Sequence, residues 1–399
     1  MLEKAKVYFG SIQQGQMARF ASFAAKVDII TEKLIEEIKI EKKDKVAIKM
    51  HLGFRDGYQT IPVFFVRRIV EKIKKTGAYP FITDNPTSVY NAVNRGYTEY
   101  TCGCPIIPIS GVKDGYVKEK KIDFLNVDSL SMAGALEDAD VLVDLSHVKG
   151  HGACGFGGAI KNIALGGYSG PTRWKKIHGV NYAYAMYDPD KLTTELAKKL
   201  VAECPYHALS YNEEKHELRR NYHDCHQCMR CLEIDQGLGA VKLPREAYSA
   251  FQEMMAIAAN EVLKSFDKEK VFFMNFLLDI TTYCDCLGMG QAPIVNDIGV
   301  LGSTDIIAIE TASLDLIKKE GLIEKNIPPY IKHVDLTTPD LHPFTRVHGP
   351  YKDPYETVQF GEKMDMGTSS YELIEILSPS ETMKMEAPKR TFEDEPTFF

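Results

Sequence analysis

The feature that most constrains this chain is a set of four cysteines near its middle. Cys225, Cys228 and Cys231 follow a Cys-x-x-Cys-x-x-Cys spacing, and the remote Cys204 is followed directly by Pro205. Three cysteines at this spacing together with a remote Cys-Pro form a ligand pattern of iron–sulfur proteins. The pattern predicts one [4Fe-4S] cluster. A structural zinc site, which more often shows paired Cys-x-x-Cys units, and unligated cysteines are the alternatives.

The residues around these cysteines resemble a ferredoxin insert that has kept one of two clusters. A second cluster would need further cysteines at four positions, where the chain has Thr194, Ala197, Leu200 and Asp235. Between the ligands, strand-like residues 208–211 and a polar turn at 212–215 predict the hairpin of a ferredoxin half. The segment therefore contains the complete ligand set of a single cluster.

Length and charge narrow the class of protein. With 399 residues the chain exceeds what one hydrophobic core normally supports, so we expect two or three folding units. A formal charge of -7 without a basic run gives no reason to expect nucleic acid as a partner. Neither a signal-like apolar segment nor a run of membrane-spanning length is visible. Nine cysteines, an odd number, favour a reducing cytoplasmic compartment over a disulfide framework.

The body of the chain has the order strand, loop, helix, strand. Residues 46–51 and 80–84 form apolar strand-like runs, and a helix opening near Pro62 lies between them. A predicted helix at 131–139 precedes a further strand at 141–145. This order indicates an α/β fold with a parallel sheet, which places its ligands at the carboxyl ends of the strands.

A glycine-rich stretch follows the 141–145 strand and is the second candidate site. Its glycines lie at positions 150, 152, 155, 157 and 158, and Gly155, Gly157 and Gly158 stand just before a predicted helix. Such a loop directs backbone N–H groups and the positive end of a helix towards one point, which suits a small anionic ligand. Lys149, next to this loop, supplies charge for binding it. The alternative is that the glycines serve tight strand-to-helix packing.

Two further cysteines, Cys284 and Cys286, follow the apolar strand 272–278. A Cys-x-Cys pair is poorly spaced for two corners of a cubane, but it can bind a soft metal or act as a thiolate pair. These cysteines are therefore a second candidate metal or redox site, with inert buried thiols as the alternative. Cys154, inside the glycine-rich stretch, is either an exposed thiol with a lowered pKa or a small packing residue.

The motifs resemble the iron–sulfur-containing branch of the DUF362 family. The resemblance rests on residues 141–167, on the ferredoxin-like insert, and on residues 279–286 and 297–305. It extends over most of the chain, from about Lys45 to about Leu377. The family name carries no established reaction, so the resemblance implies an iron–sulfur protein and leaves its chemistry open.

The glycine-rich stretch is also similar to a loop of the nickel-pincer lactate racemase family. His151, the run Gly-Phe-Gly-Gly, Lys161 and Gly166 follow the same order and similar spacing. This resemblance implies that Lys161 is a cofactor-linked or substrate-contacting lysine, His151 an acid/base group and His178 the third catalytic residue. An organic or second metal cofactor would then accompany the cluster. The segment beginning at Asp84 lacks the arginine of that family's Asp-x-Thr-Arg-Pro motif.

These observations predict four parts. An α/β domain with the glycine-rich ligand loop spans residues 1–184, a ferredoxin-like one-cluster insert spans 185–245, the α/β domain continues over 246–380, and 381–399 form a tail. Within the continuation we expect a helix at 246–266, a strand at 272–278, a helix from 303 to 316 and a late strand at 371–377. The tail is either solvated or an arm on a partner subunit, which leaves a homodimer open.

The leading functional hypothesis is a [4Fe-4S] redox protein, either an oxidoreductase or an electron-transfer component. It would bind a small anionic substrate or cofactor between Gly150 and Asn162 and exchange electrons with a redox partner protein. Two alternatives come from other classes. One is a racemase-like isomerase with a structural cluster, and the other is a carrier that holds a metal or cluster at Cys284 and Cys286.

Overall fold

The computed structural model describes residues 4–331, 334–349 and 351–386 and is organised around one eight-stranded sheet. In chain order the strands are β1 (Ala5–Ser11), β2 (Lys45–Met50), β3 (Tyr79–Asp84), β4 (Ile106–Pro108), β5 (Val117–Phe124), β6 (Val127–Ala133), β7 (Val141–His147), β8 (Lys149–His151), β9 (Gly155–Gly157), β10 (Leu209–Asn212), β11 (Glu217–Arg220), β12 (Val271–Leu277), β13 (Gly299–Ser303) and β14 (Tyr371–Glu375). The order across the sheet is β14-β1-β13-β12-β7-β2-β3-β4. Every neighbouring pair is parallel except the two that involve β13.

The helices are α1 (Phe23–Glu37), α2 (Val63–Lys75), α3 (Pro86–Asn91), α4 (Glu99–Cys102), α5 (Gly134–Glu137), α6 (Ala159–Gly166), α7 (Gly170–Thr172), α8 (Thr194–Ala202), α9 (Arg230–Asp235), α10 (Arg245–Leu263), α11 (Ile306–Glu320), α12 (Pro343–His348), α13 (Glu356–Lys363) and α14 (Pro379–Thr382). A π-helical turn lies at Arg173–Ile177, and 3-10 turns lie at Arg19–Ala21, Ala92–Arg95, His178–Ala183, Lys268–Lys270, Asp285–Leu287 and Glu324–Asn326. No helix within the described ranges is long and apolar enough to cross a membrane.

The sheet is covered on both faces, which confirms the predicted α/β class. Successive side chains of a strand point to opposite faces, and the central strands are apolar on both. Ala47 belongs to one core cluster together with residues of α6, α10 and α11. Val46 and Ile48 belong to the other, together with residues of α1 and α2. Helices therefore form a layer on each side of the sheet.

The segment that carries the four cysteines has a small core of its own. Nine buried residues make up this third cluster: Leu192, Leu196, Ala197, Leu200, Leu209, Leu218, Ile234, Ala240 and Val241. They come from α8, from the antiparallel hairpin β10–β11 and from the region of α9. The hairpin confirms the strand-turn-strand prediction for residues 208–220.

One predicted helix is wrong. Residues 131–133 belong to strand β6, which pairs antiparallel with β5, and only Gly134–Glu137 are helical. Strand β6 follows β5 after only two residues, Leu125 and Asn126, so pairing within this hairpin and not helical propensity determines the conformation of residues 131–133. The predicted helix from residue 303 begins later, since Ser303 ends β13. Asp305 caps α11 by accepting hydrogen bonds from the amides of Ile307 and Ala308. Residues 387–399 of the predicted tail lie outside the described residues.

Candidate cysteine and histidine site

The glycine-rich stretch is a buried β-hairpin. Strand β7 ends at His147, and β8 and β9 then pair antiparallel before α6 begins at Ala159. Every residue from 148 to 160 is buried. A Cβ atom on Gly152 would lie 2.1 Å from the carbonyl oxygen of His226, and one on Gly150 would lie 2.5 Å from that of Thr282. At these two positions glycine is required because other parts of the backbone approach closely.

The carboxyl group of Glu310 lies at the amino end of α6. The Glu310 carboxylate accepts hydrogen bonds from the Ala159 amide at 2.7 Å and from the Asn275 side-chain amide at 2.9 Å. A Cβ on Gly158 would lie 2.3 Å from this carboxylate. Burial raises the pKa of Glu310 to about 7, although these hydrogen bonds oppose the rise. The position where the sequence predicted a bound anion is thus filled by Glu310, which sequence reasoning missed.

Lys161 and His151 meet the Cys-x-Cys pair. The Lys161 ammonium lies 3.5 Å from the Cys284 sulfur and 3.7 Å from the Cys286 sulfur. Donor atoms of His151, Cys284 and Cys286 all lie within 4.8 Å of one another, and the two sulfurs are bonded as a disulfide. Gly157 lies close to both side chains. A Cβ built on it would be 3.2 Å from Lys161 Cδ and 3.7 Å from Cys284 Cβ. Burial lowers the pKa of Lys161.

His151 is held in one orientation by its own hairpin. Its Nδ1 accepts hydrogen bonds from the amides of Ala153 and Cys154, both at 3.1 Å. A neutral ring in this arrangement carries its proton on Nε2. Burial, followed by the nearby Lys161, lowers the pKa of His151 well below its ordinary value. The ring is therefore neutral near pH 7.

Lys149 serves to position the Cys-x-Cys segment. Its ammonium lies 2.5 Å from the carboxylate of Asp285, the residue between the two cysteines, and it also donates to the backbone oxygen of Gln59. His147 bonds the other carboxylate oxygen at 3.0 Å. Burial alone would raise the pKa of Asp285, but Lys149 and His147 outweigh it and hold that pKa well below its usual range. The charge of Lys149, predicted to face a ligand, is thus neutralised within the protein.

A second buried ionic network lies at the carboxyl ends of β2 and β3. Lys49 contacts Asp84 at 3.1 Å and the Asn162 side-chain oxygen at 2.8 Å, and His51 contacts Asp84 at 2.9 Å. Burial opposes ionisation of Asp84, yet Lys49 and His51 keep its pKa well below the ordinary value. Asn162 also donates to Asp144 at 2.7 Å, and burial raises the pKa of Asp144 to about 8. Asn162 of α6 is thereby tied to the sheet.

His178 contacts the cysteine-bearing segment. Its ring lies 5.1 Å from that of His223 in an edge-to-face arrangement and 4.9 Å from that of Phe251. Burial lowers the pKa of His178 well below its ordinary value, and the neighbouring His223 adds to this effect. His178 and His151 are both buried neutral imidazoles, and each contacts a different histidine of the cysteine-bearing segment.

The four cysteines of the central motif line one cavity, together with Arg220, Tyr206 and His226. Their sulfur-bearing side chains are half-buried. Gln227 and Met229, which alternate with the cysteines, have positive φ angles of 49° and 66°. Residues other than glycine rarely adopt positive φ angles, and those that do are found more often at functional sites. Cys154, by contrast, is fully buried, and burial raises its pKa to about 12, so it is not the exposed, low-pKa thiol considered above.

One buried cation, Arg220, lines this cavity, and a second, Lys352, contacts the backbone of the cysteine motif. Arg220 donates to the Cys231 sulfur at 3.9 Å, and its Nε has no hydrogen-bond partner. Lys352 donates to the backbone oxygen of Gln227, inside the cysteine motif. Burial lowers the pKa of Lys352 to about 8, while the nearby cysteines oppose the fall. In the part of the chain that the structure describes, no carboxylate forms an ion pair with either cation.

Aromatic rings connect the two cysteine groups. His226, which follows Cys225, lies 5.0 Å from the ring of His151, 4.7 Å from that of Tyr206 and 5.4 Å from that of Tyr283. Tyr283 directly precedes Cys284. The sequence signal for these residues was their adjacency to cysteines, whereas nothing local pointed to Lys352 or Arg220.

The fold and this site define an α/β protein in which a cysteine- and histidine-rich centre lies at the carboxyl edge of a mostly parallel sheet. The model of the family described as "Domain of unknown function (DUF362)" matches residues 46–315, and the chain belongs to this family. No curated protein matches.

Solved structures give distant similarities. One is the lactate racemase apoprotein from Thermoanaerobacterium thermosaccharolyticum, at 12% identity and a TM-score of 0.36, covering 79% of this chain and 58% of that one. Another is a Thermotoga maritima protein, at 10% identity and a TM-score of 0.35, covering 65% of this chain and 52% of that one. The chain thus spans little more than half the length of these structures.

Proposed function

We propose that this protein is a [4Fe-4S] redox protein whose cluster is held by Cys204, Cys225, Cys228 and Cys231 in a ferredoxin-like segment. The observation that carries the proposal is that all four cysteines line one cavity, and that the buried cations Arg220 and Lys352 contact the cysteine motif without a carboxylate partner among the described residues. The bound cluster would supply one-electron chemistry. An oxidoreductase or an electron-transfer component is the class that this arrangement supports best.

The charges around the cavity fit an anionic group. A buried cation without a counter-charge is costly, so it is normally paired. Arg220 and Lys352 have no carboxylate ion-pair partner among the described residues, and both lie beside cysteines. Four thiolates around a cluster would give these cations the missing negative charge. The same cations would stabilise the extra electron of a reduced cluster, since positive charge and hydrogen bonds to sulfur tune its potential.

The spacing of the sulfurs favours a cluster over a single zinc ion. Zn–S bonds of about 2.3 Å in a tetrahedral site bring the sulfurs to roughly 3.8 Å from one another. Within the described ranges, the only group of three or more metal-ligating side chains with donors inside 4.8 Å is the one at His151, Cys284 and Cys286. No three of the four central cysteines meet this criterion, so their sulfurs are not placed as closely as a single zinc ion would require.

Electron transfer also needs contact between the cluster and the rest of the site. His226 lies within the cysteine motif, and its ring contacts His151 of the hairpin and Tyr283 beside Cys284. His151 and His178 each have a ring contact with a histidine of the cysteine-bearing segment, which favours the redox proposal over an isomerase in which this pair faces one substrate. A small anionic substrate remains part of the proposal, but Glu310 occupies the end of α6.

The test is the metal content and spectrum of the full-length protein purified without oxygen. We expect about four irons per chain and an electron paramagnetic resonance signal after reduction with dithionite. Cys228→Ser should lose both, whereas Cys154→Ser, a buried cysteine outside the cavity, should keep them. Circular dichroism would show that the Cys228 variant still folds. Zinc in place of iron, or a cluster that survives in the Cys228 variant, would refute the proposal.

The carrier hypothesis remains a second candidate, because His151, Cys284 and Cys286 have donors close enough for one metal ion. It predicts a labile metal that a chelator removes without unfolding the protein. The measurement is metal content before and after chelation, with Cys286→Ser as the variant that should lack the chelatable metal while it keeps the iron of the central cysteines.

A further inference from the structure

The two cysteine groups of this molecule differ in the electron chemistry that they can perform. An iron–sulfur cluster exchanges single electrons, whereas a disulfide exchanges two electrons together with two protons. The Cys284–Cys286 disulfide lies next to Tyr283, whose ring contacts His226 of the cysteine motif. Only ring contacts and adjacent residues therefore separate the proposed cluster from the disulfide.

We propose that Cys284 and Cys286 are a redox-active dithiol that the cluster reduces, so that two single-electron steps are combined into one two-electron reduction. This inference rests on the proposed function. The disulfide takes up two electrons, the sulfur–sulfur bond breaks, and each sulfur becomes first a thiolate beside the Lys161 ammonium and then a thiol, by taking a proton from solvent. Each electron comes, through the cluster, from one molecule of a reduced one-electron carrier of the ferredoxin class.

Lys161 favours a dithiol over a metal ion at this place. Its ammonium lies 3.5 Å and 3.7 Å from the two sulfurs, where a positive charge stabilises a thiolate. A metal cation held by the same sulfurs would face this like charge at short range. The lysine therefore fits the anion formed when a disulfide is reduced.

His151 supports the same assignment. A histidine that binds a metal needs a nitrogen with a free lone pair. The Nδ1 lone pair of His151 already accepts from two backbone amides, and the neutral ring then carries its proton on Nε2. Neither nitrogen is left to ligate a metal, whereas the Nε2–H group is a donor whose hydrogen bond a nearby thiolate could accept.

The segment around the pair is anchored by a buried ion pair. Asp285, between the two cysteines, is fixed by Lys149 at 2.5 Å and by His147 at 3.0 Å. Cys284 is buried and Cys286 is half-buried, so Cys286 is the sulfur that reagents reach first. These contacts explain why charged residues of the hairpin are directed inward to the Cys-x-Cys segment.

The experiment follows the thiol state of the pair while the cluster is reduced. The tryptic peptide 271–318 contains Cys284 and Cys286 and no other cysteine. Full-length protein loaded with iron without oxygen is treated with titanium(III) citrate, denatured in iodoacetamide and analysed by mass spectrometry. We expect no alkylation of this peptide before reduction and alkylation of both cysteines once the resonance signal of the reduced cluster appears.

Variants separate this inference from the proposed function. In Cys228→Ser, titanium(III) should leave the peptide unalkylated, while dithiothreitol should still open the disulfide and so show that the segment is intact. Cys286→Ser should keep its iron and its resonance signal. A cluster that becomes reduced while the peptide stays oxidised would overturn the dithiol assignment and leave the cluster proposal standing. Alkylation of the peptide before reduction would also overturn the dithiol assignment and leave the cluster proposal standing. Protein without iron would overturn both.

Discussion

Two groups of buried cations in this molecule, one at the sheet edge and one beside the cysteine cavity, meet different counter-charges. At the sheet edge, Lys149 is paired with Asp285 at 2.5 Å and Lys49 with Asp84 at 3.1 Å. Around the cysteine cavity, Lys352 contacts only a backbone oxygen among the hydrogen-bond acceptors of the described residues, and it forms no ion pair there. In the first region the described residues supply the counter-charges, whereas in the second an anionic group of the kind proposed above would supply them. The comparison distinguishes cations paired within the fold from cations beside the proposed cluster site.

The largest effect is expected where a complete pair is broken. Asp285→Asn leaves Lys149 buried without a counter-charge, so the free energy of unfolding should fall by about 3–5 kcal/mol. Urea denaturation measures this free energy of unfolding. Glu269→Gln is the control, because it removes an exposed ion pair with Lys39 and should not shift the urea midpoint measurably. Equal effects of the two substitutions would break the distinction between paired sheet-edge charges and ordinary surface charges.

A buried carboxylate that lacks a cation should make stability depend on pH. The pKa of Glu310 is raised to about 7 in the folded protein, so the folded state binds its proton more tightly than the unfolded state does. The resulting stability is complete below about pH 4 and is lost as the pH rises through about 7, by up to about 3 kcal/mol. Urea denaturation across this pH range should show the loss in the wild type. In Glu310→Gln this part of the pH dependence should disappear, and an unchanged profile would contradict the assignment.

The contact between the two regions can be disturbed at one glycine. In Gly152→Ala the added Cβ would lie 2.1 Å from the His226 carbonyl oxygen, so the cysteine motif must move away from the hairpin. We expect a loss of about 1–3 kcal/mol in the free energy of unfolding. Gly115→Ala is the matched control, since its nearest atom, Lys113 O, is 3.9 Å away. If both variants unfold at the same urea concentration, the close contact is not present in solution.

The smallest effect should appear at the cavity itself. Lys352→Met removes a buried cation beside the cysteines, and iron should then be lost to a chelator about tenfold faster, equivalent to about 1.4 kcal/mol. Absorbance of the released iron complex measures the rate. Lys319→Met, on an exposed position of α11, should leave it unchanged. A rate unaffected by Lys352→Met would show that this cation is not the partner of a bound anion.

Much of the architecture was predictable because its signals are local. Strands β2, β3 and β7 are continuous apolar runs, and the spacing of the four cysteines is a pattern of neighbouring positions. Residues such as Glu310 were not predictable in the same way. A glutamate inside α11 resembles a solvated helix residue until the fold brings it to the amino end of α6. No local sequence pattern indicates that Glu310 will meet the amino end of α6.

The same limit applies to the candidate site. Cys284 and Cys286 were visible as a pair, but their contact with Lys161 depends on the packing of α6 against the strand ends. Lys149 was expected to face a ligand because it precedes a glycine-rich run, and only the three-dimensional structure pairs it with Asp285. The fold brings the two partners of a long-range ion pair together, and local sequence patterns do not show which residues will meet.

The order of strands in the sheet has a consequence for synthesis of the chain. Strand β1 is made long before its two neighbours in the sheet, β13 and β14. Contacts between such distant segments form slowly, and an unpaired strand edge can associate with other chains before its partner is available. During translation β1 therefore has no sheet partner until β13 has left the ribosome. Expression at reduced temperature or with added chaperones should raise the yield of correctly folded protein.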